Sequence, residues 1–171
     1  EIHFNYKARY KHKNANISMK VFASKDKIYI GESYVKYKLF SNTYLKTGKY
    51  YKDFSSYLNE TLSSGSLLIS NNAEPMPKIG LLSSYKFKQS QNFNFNFGIS
   101  HGLFAKSAIY KTPPMLHEKF VYLNYSKNQN DFGIGFVHEA MWGGSTDEDG
   151  KFSTSYKDFL KIFISADGPL L

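Results

Sequence analysis

Cysteine is absent from all 171 residues of the chain. The protein can therefore form no disulfide scaffold, no thiolate zinc site and no thiol nucleophile. No run of residues approaches the roughly 18 consecutive apolar positions that a membrane-spanning helix requires. No serine lies in a Gly-x-Ser-x-Gly elbow, and no glycine-rich phosphate loop is present, so nothing in the sequence requires an enzyme.

Aromatic and basic residues are instead abundant. Tyr and Phe number 14 and 15, and an aromatic fraction of 18% excludes a disordered chain, because so much apolar surface must be buried. Lys and Arg together number 22 against 14 Asp and Glu, which gives a net charge of +8. A basic surface or cavity of this kind favours an anionic partner.

Apolar and polar residues alternate along most of the chain with the period of a two-faced β-strand. The contrast is purest in residues 92–103, where Phe and Ile alternate with Asn, Ser and Gly. Comparable runs predict strands over residues 1–11, 17–24, 29–40, 43–51, 121–125, 132–136 and 156–165. Residues 53–77 break the rhythm, and so long a break is typical of a functional loop or a plug-like excursion.

Strands of about ten residues with an aromatic face and a polar face are typical of a transmembrane β-barrel. A soluble β-sandwich or a lipocalin-like barrel shows the same alternation with its apolar face inward, and alternation alone does not separate the two. We predict an all-β, antiparallel transmembrane barrel. Residues 1–171 would supply about seven or eight strands of one larger barrel domain. The chain begins without Met and ends in a turn-like segment, so we expect a piece or a processed form of a longer polypeptide.

Several short segments carry a family resemblance. Four of them follow one another in the second half of the chain: Gly98–Gly102, Leu116–Lys119, His138–Gly144 and Ser155–Leu160. Ser64–Ile79 precedes them, and Gly31–Tyr34 lies earlier still. Together these segments resemble capsule assembly proteins of the Wzi type. The resemblance implies an outer-membrane barrel of roughly 18 strands. It also implies a lectin-like role in binding capsular polysaccharide and fixing it to the cell surface.

Basic side chains on the polar parity of the early strands are the first candidates for ligand binding. They are Lys7, Arg9, Lys11, Lys20, Lys36 and Lys38. In a barrel they would project into one cavity and offer charge-assisted hydrogen bonds to acidic sugars such as uronates. Asn94 and Asn96 would add paired donors and acceptors for sugar hydroxyls. The alternative is that the lysines only keep a polar lumen soluble.

His101, His117 and Trp142 complete the candidate set. His101 shares the apolar parity unless a bulge re-aims it, and its alternative role is a structural hydrogen bond. His117-Glu118 and His138-Glu139 suggest a metal or acid–base pair. However, neighbouring residues of a strand point to opposite faces, and neither pair continues as the helical two-histidine zinc motif. Trp142 would be either an interfacial anchor or a platform on which a sugar ring stacks.

The sequence thus predicts a non-enzymatic protein of the cell outer membrane. Its expected partners are an acidic capsular polysaccharide or exopolysaccharide and the outer-membrane lipid. An anion-preferring porin or transport channel is the main alternative, and a barrel enzyme acting on lipid or glycan is a third. We expect no cofactor, no metal and no nucleic-acid partner.

Overall fold

The computed structural model describes residues 4–23, 27–52, 74–87 and 92–166. Within these ranges the chain forms twelve strands and one helix. The strands of the first half are β1 (Phe4–Lys11), β2 (Ala15–Ala23), β3 (Ile28–Ile30), β4 (Ser33–Phe40), β5 (Thr43–Tyr50) and β6 (Met76–Lys86). The remaining elements are β7 (Phe93–Leu103), β8 (Tyr110–Thr112), β9 (Met115–Lys127), β10 (Asn130–Trp142), β11 (Ser145–Thr146), β12 (Gly150–Lys151) and helix α1 (Tyr156–Phe163).

Most of the strands form one antiparallel meander. The order is β1-β2-β4-β5-β6-β7-β9-β10, and β3 pairs with β2 beside β4. Strands β8, β11 and β12 make a small separate sheet. The prediction of an all-β antiparallel architecture is confirmed. Within the described ranges β1 does not pair with β10, so the sheet is not closed there. The same ranges hold no helix with the length and apolarity to cross a bilayer.

The register divides the sheet into two chemically different faces. On the face that we call the apolar face, one row across four strands joins Ser83, Phe97, Val121 and Phe136. On the opposite face, called the polar face, the corresponding row joins Gly80, Ser100, Glu118 and Glu139. Because the side-chain period of a strand is two, the alternation seen in the sequence becomes a continuous segregation across the whole sheet.

Burial on the two faces is inverted relative to a water-soluble sheet. On the apolar face Phe132, Ile134 and Phe136 are 67%, 63% and 73% exposed. On the polar face Asn96 and Glu118 are each only 2% exposed. An antiparallel sheet in water normally buries its apolar face and leaves the polar one wet. This sheet therefore has the inside-out distribution of polarity.

Glycines on the polar face make room for aromatic rings from neighbouring strands. A Cβ added at Gly135 would lie 2.2 Å from the ring of Tyr122, its cross-strand partner. A Cβ added at Gly98 would lie 2.6 Å from the ring of Phe120, which is likewise opposite it. These aromatic side chains thus lie flat over the adjacent strand and fill the polar face with ring surface.

The two ends of the sheet differ in the length of their connections. Residues 12–14, 41–42 and 128–129 join strands at one end as short turns. At the other end, where α1 also lies, β5 and β6 are separated by 51–75 in the sequence, and β7 and β9 are separated by 104–114. We call the second end the long-loop end.

Three of the predicted elements differ from the structure. The single strand over residues 29–40 is divided into β3 and β4, because its register against β2 shifts by one residue between Ile30, which is opposite Val21, and Tyr34, which is opposite Ser18. The excursion over residues 53–77 overlaps β6, which begins at Met76 and was not predicted as a strand. Residues 53–73 of that excursion lie outside the described residues.

The third difference is the run over residues 156–165, which forms helix α1 and not a strand. Ser155 caps the helix, since its side chain accepts a hydrogen bond of 3.1 Å from the Asp158 N–H. Hydrogen bonds from the Ser153 and Ser155 hydroxyls hold the pKa of Asp158 below its usual range. Phe159 and Phe163 are four residues apart and lie on one side of the helix, as helical periodicity requires.

Candidate functional site

One cross-strand row of the polar face carries charged side chains of both signs. Direct register partners follow one another through seven strands of the main sheet: β2, β4, β5, β6, β7, β9 and β10. In that order the row reads Asn16, Lys36, Lys46, Gly80, Ser100, Glu118 and Glu139. The row is basic on β4 and β5 and acidic on β9 and β10. A ligand lying along it would therefore meet a gradient of charge.

A buried ion pair lies at the centre of the polar face. The Lys78 Nζ is 2.8 Å from the Glu118 Oε2, and the two side chains are 1% and 3% exposed. The Ser100 hydroxyl donates to the same carboxylate oxygen at 3.1 Å, and Lys78 also donates to the Tyr51 carbonyl at 3.1 Å. Charges this deeply buried are tolerated only when they are paired and hydrogen-bonded, and both conditions are met here.

A second ion pair lies nearer the long-loop end. The Lys52 Nζ is 2.6 Å from one carboxylate oxygen of Glu139 and 2.7 Å from the other. Lys52 and Glu139 also line a cavity of about 310 Å³ together with Phe104 and Leu116. A cavity with a charged pair on one wall and apolar side chains on the others can take a small polar group such as one sugar unit.

Aromatic rings hold the lysines of the polar face in place. The Lys46 Nζ lies 4.1 Å from the centre of the Tyr50 ring and 4.3 Å from that of Tyr34. The Lys36 Nζ lies 4.4 Å from the centre of the Tyr44 ring. Ammonium groups within about 6 Å of a ring centre are attracted by its negative face. These contacts restrain the two lysines on the polar face, and the rings themselves carry no counter-charge.

Most of the ligand-binding candidates predicted from the sequence lie on the polar face. Lys20, Lys36 and Lys38 share its parity, and so do Asn94 and Asn96. In the strand register, three further candidates also belong to this face: Lys7 opposite Lys20, Arg9 opposite Ser18 and Lys11 opposite Asn16. The side chains of Lys7 and Arg9 lie outside the described residues, whereas Lys11 is exposed.

The remaining nominated residues lie on the opposite face. His101 and His117 are direct cross-strand partners on the apolar face, and Trp142 lies on the same face. The register around His101 is regular, so no bulge re-aims it. Helix α1 covers this region: Phe159 packs on His101 and Trp142, with ring centres 5.4 and 5.1 Å apart. These three residues therefore do not share a site with the lysines of the polar face.

The two His-Glu pairs are separated by the sheet. His117 is fully buried below α1, while the adjacent Glu118 forms the ion pair with Lys78 on the polar face. His138 and Glu139 are divided in the same way. The rings of His101, His117 and His138 are neighbours, yet within the described part of the chain no three His, Asp or Glu residues are arranged to hold a metal ion.

Sequence reasoning missed Lys46, Lys78 and Tyr50 as members of the polar face. Lys78 lies on β6, which was not predicted as a strand because two prolines, Pro75 and Pro77, flank its start. The alternation of Ile79 and Leu81 with Lys78 and Gly80 was the available signal. Comparison of the chain with models of known families, with curated proteins and with solved structures found no match.

Proposed function

We propose that the chain forms part of the wall of a transmembrane β-barrel in the outer membrane, with the apolar face toward lipid. The inverted burial of the two faces is the observation that carries this proposal. Water would solvate the rings of Phe132 and Phe136 at a cost of about 25 cal/mol for each Å² of apolar surface, whereas hydrocarbon removes that cost. A bilayer also requires the backbone polar groups of the wall to be paired within the sheet, and the antiparallel ladders pair those of the strands between β1 and β10.

The connections support one orientation of the wall. In outer-membrane barrels the short turns face the periplasm and the longer loops face the outside of the cell. By that rule the long-loop end is extracellular, and the Lys52–Glu139 pair lies toward the cell surface. The strands also have suitable lengths, since β7 has 11 residues and a tilted membrane strand needs about 9–11.

We further propose that the polar face binds an acidic surface polysaccharide and that the protein acts in capsule assembly, without catalysis. Lysines held on aromatic rings give the face its positive charge, and low-dielectric walls strengthen the field of such charges. Tyr and Asn side chains beside them supply partners for sugar hydroxyls. The resemblance to the Wzi-type proteins supports the same role.

The membrane proposal predicts alternating accessibility along β7. Because the chain has no cysteine, spin labels can be attached to single cysteines at positions 93–99 without a background signal. In lipid vesicles, labels at 93, 95 and 97 should be relaxed mainly by oxygen, and a label at 94, a partly exposed position of the polar face, mainly by a polar reagent. Uniform exposure to the polar reagent, or the opposite parity, would contradict the proposal.

The glycan proposal predicts salt-sensitive binding that depends on the lysines of the polar face. The triple variant Lys20→Gln, Lys36→Gln and Lys38→Gln should bind polygalacturonate, a uronate polymer, at least about tenfold more weakly, because each lost charge-assisted hydrogen bond is worth about 1.5–3 kcal/mol. Raising the salt concentration should likewise weaken the binding of polygalacturonate to the unsubstituted chain.

A matched control replaces three exposed lysines elsewhere, Lys106, Lys151 and Lys157, by Gln. This control variant has the same net charge as the test variant and should bind polygalacturonate as the unsubstituted chain does. Equal weakening of both variants would mean that net charge alone attracts the polymer. Anion-selective conductance in planar bilayers without polymer binding would favour the porin alternative.

A further inference from the structure

Helix α1 lies across the apolar face at the long-loop end. Its Phe159 contacts His101 and Trp142, and its Phe163 packs on His117 with ring centres 5.8 Å apart. The Lys119 Nζ donates to the Phe163 carbonyl at 2.6 Å, which ties the end of the helix to β9. The helix thus covers β7, β9 and β10 but does not extend over the whole width of the sheet.

A cavity of about 750 Å³ lies between this helix and the sheet, within the size range of small-molecule sites. We call it the groove. Its floor is the apolar face of β5, β6 and β7, and Trp142 and Phe159 form a side wall. Residues that line it include Thr47, Ile79, Leu103, Met115, Trp142 and Phe159. The lining is therefore mainly hydrocarbon and aromatic.

We infer that the groove holds an acyl chain of a membrane lipid, an inference that rests on the proposed membrane role. Its floor is continuous with the exposed apolar face, since Ile79 lies in the groove and Leu81, two residues along β6, lies outside it on the same face. Both side chains are about half exposed. An acyl chain that covers Leu81 can therefore continue into the groove without crossing a polar region.

A buried donor in the wall of the groove points to the same ligand. The Trp142 Nε1 is inaccessible to solvent, and no residue of the described part of the chain accepts its hydrogen bond. A buried donor without an acceptor costs about 1–3 kcal/mol. The ester carbonyl that joins an acyl chain to its headgroup is an acceptor of suitable chemistry. Because the Nε1 is not accessible from the groove, the indole ring has to turn toward it for this hydrogen bond to form.

Trp142 itself reports on the groove, because it is the only tryptophan in the chain. The protein is kept in micelles of an unbrominated detergent, and a phosphatidylcholine with a dibrominated acyl chain, which quenches nearby indoles, is added at low mole fraction. We expect a loss of Trp142 emission that saturates at one lipid per chain. Ile79→Phe, which enlarges a side chain of the groove floor, should abolish this saturable loss.

Two control variants separate the groove from the membrane role. Leu81→Phe introduces the same ring outside the groove, and this variant should retain the saturable loss of Trp142 emission. The double variant Trp142→Phe with Phe136→Trp moves the reporter to the open apolar face, where quenching should rise in proportion to mole fraction without saturating. Quenching proportional to mole fraction at both positions would contradict lipid binding in the groove and would leave the proposed membrane role intact. Absence of quenching at both positions would overturn the membrane role itself.

Discussion

Arginine in place of Phe136 is expected to destabilise the chain in lipid vesicles by about 2–4 kcal/mol. Phe136 lies at the middle of β10, on the apolar face, and is 73% exposed. In a bilayer this position meets the hydrocarbon core, where a guanidinium loses its hydration. In a water-soluble sheet the same substitution at so exposed a position would change the stability by less than about 0.5 kcal/mol. The free energy of unfolding, measured by denaturant titration in vesicles, decides between these environments.

The matched control for this substitution is Asn130→Arg. Asn130 begins the same strand next to a short turn, so in the proposed orientation it lies near the membrane surface. Arginine there should cost about 0–1 kcal/mol, because the side chain reaches water. Equal effects of the two substitutions would mean that the centre and the end of β10 meet the same environment. That result would contradict the proposal that β10 crosses the membrane.

The segregation of the sheet into two faces follows from the sequence because a strand has a period of two. The alternation of Phe and Asn in β7 fixes which side chains share a face, and Lys20, Lys36 and Asn96 indeed share one. The period does not predict whether the apolar face or the polar face is enclosed. The exposed fractions of residues such as Phe136 and Asn96 supply that information, since they depend on the shape of the whole sheet.

The helix at residues 156–163 was missed for a different reason. Its apolar residues Tyr156, Phe159, Leu160 and Phe163 fit a helical period, and Ser155 with Asp158 three residues later is a capping signal. Eight residues are too few for an isolated helix to be stable, and packing on the sheet supplies the stability that α1 lacks on its own. Tertiary contacts of Phe159 and Phe163 with the histidines and Trp142 thus decide a conformation that local preference leaves open.

The ion pairs of the candidate site could not be predicted at all from local pattern. Lys78 and Glu118 are 40 residues apart, and Lys52 and Glu139 are 87 apart. The Lys78–Glu118 contact depends on the register of β6, β7 and β9, in which small residues at Gly80, Ser100 and Gly102 leave space for long side chains. A single shift of one residue in any of these ladders would move Lys78 or Glu118 to the apolar face.

Removal of one partner of the buried pair is therefore expected to have the largest effect on stability. Lys78→Met should destabilise the chain by about 3–5 kcal/mol, because it leaves the Glu118 carboxylate buried without its counter-charge. The double variant Lys78→Met with Glu118→Leu should recover most of the loss, since two apolar side chains of similar size need no compensation. Denaturant titration of the two single variants and the double variant in vesicles gives the coupling energy of the pair directly.

An exposed ion pair, Lys49 with Glu74, provides the control for the buried pair. Lys49 and Glu74 are 3.6 Å apart with side chains 27% and 70% exposed, so Lys49→Met should cost no more than about 1 kcal/mol. If Lys78→Met costs as little as Lys49→Met, water reaches Glu118 and the polar face is an open aqueous surface, as the porin alternative requires. If it costs several kcal/mol and the double variant is stable, the centre of the polar face is filled. Binding of a polymer is then confined to the lysines of β2, β4 and β5 and to the cavity beside Lys52.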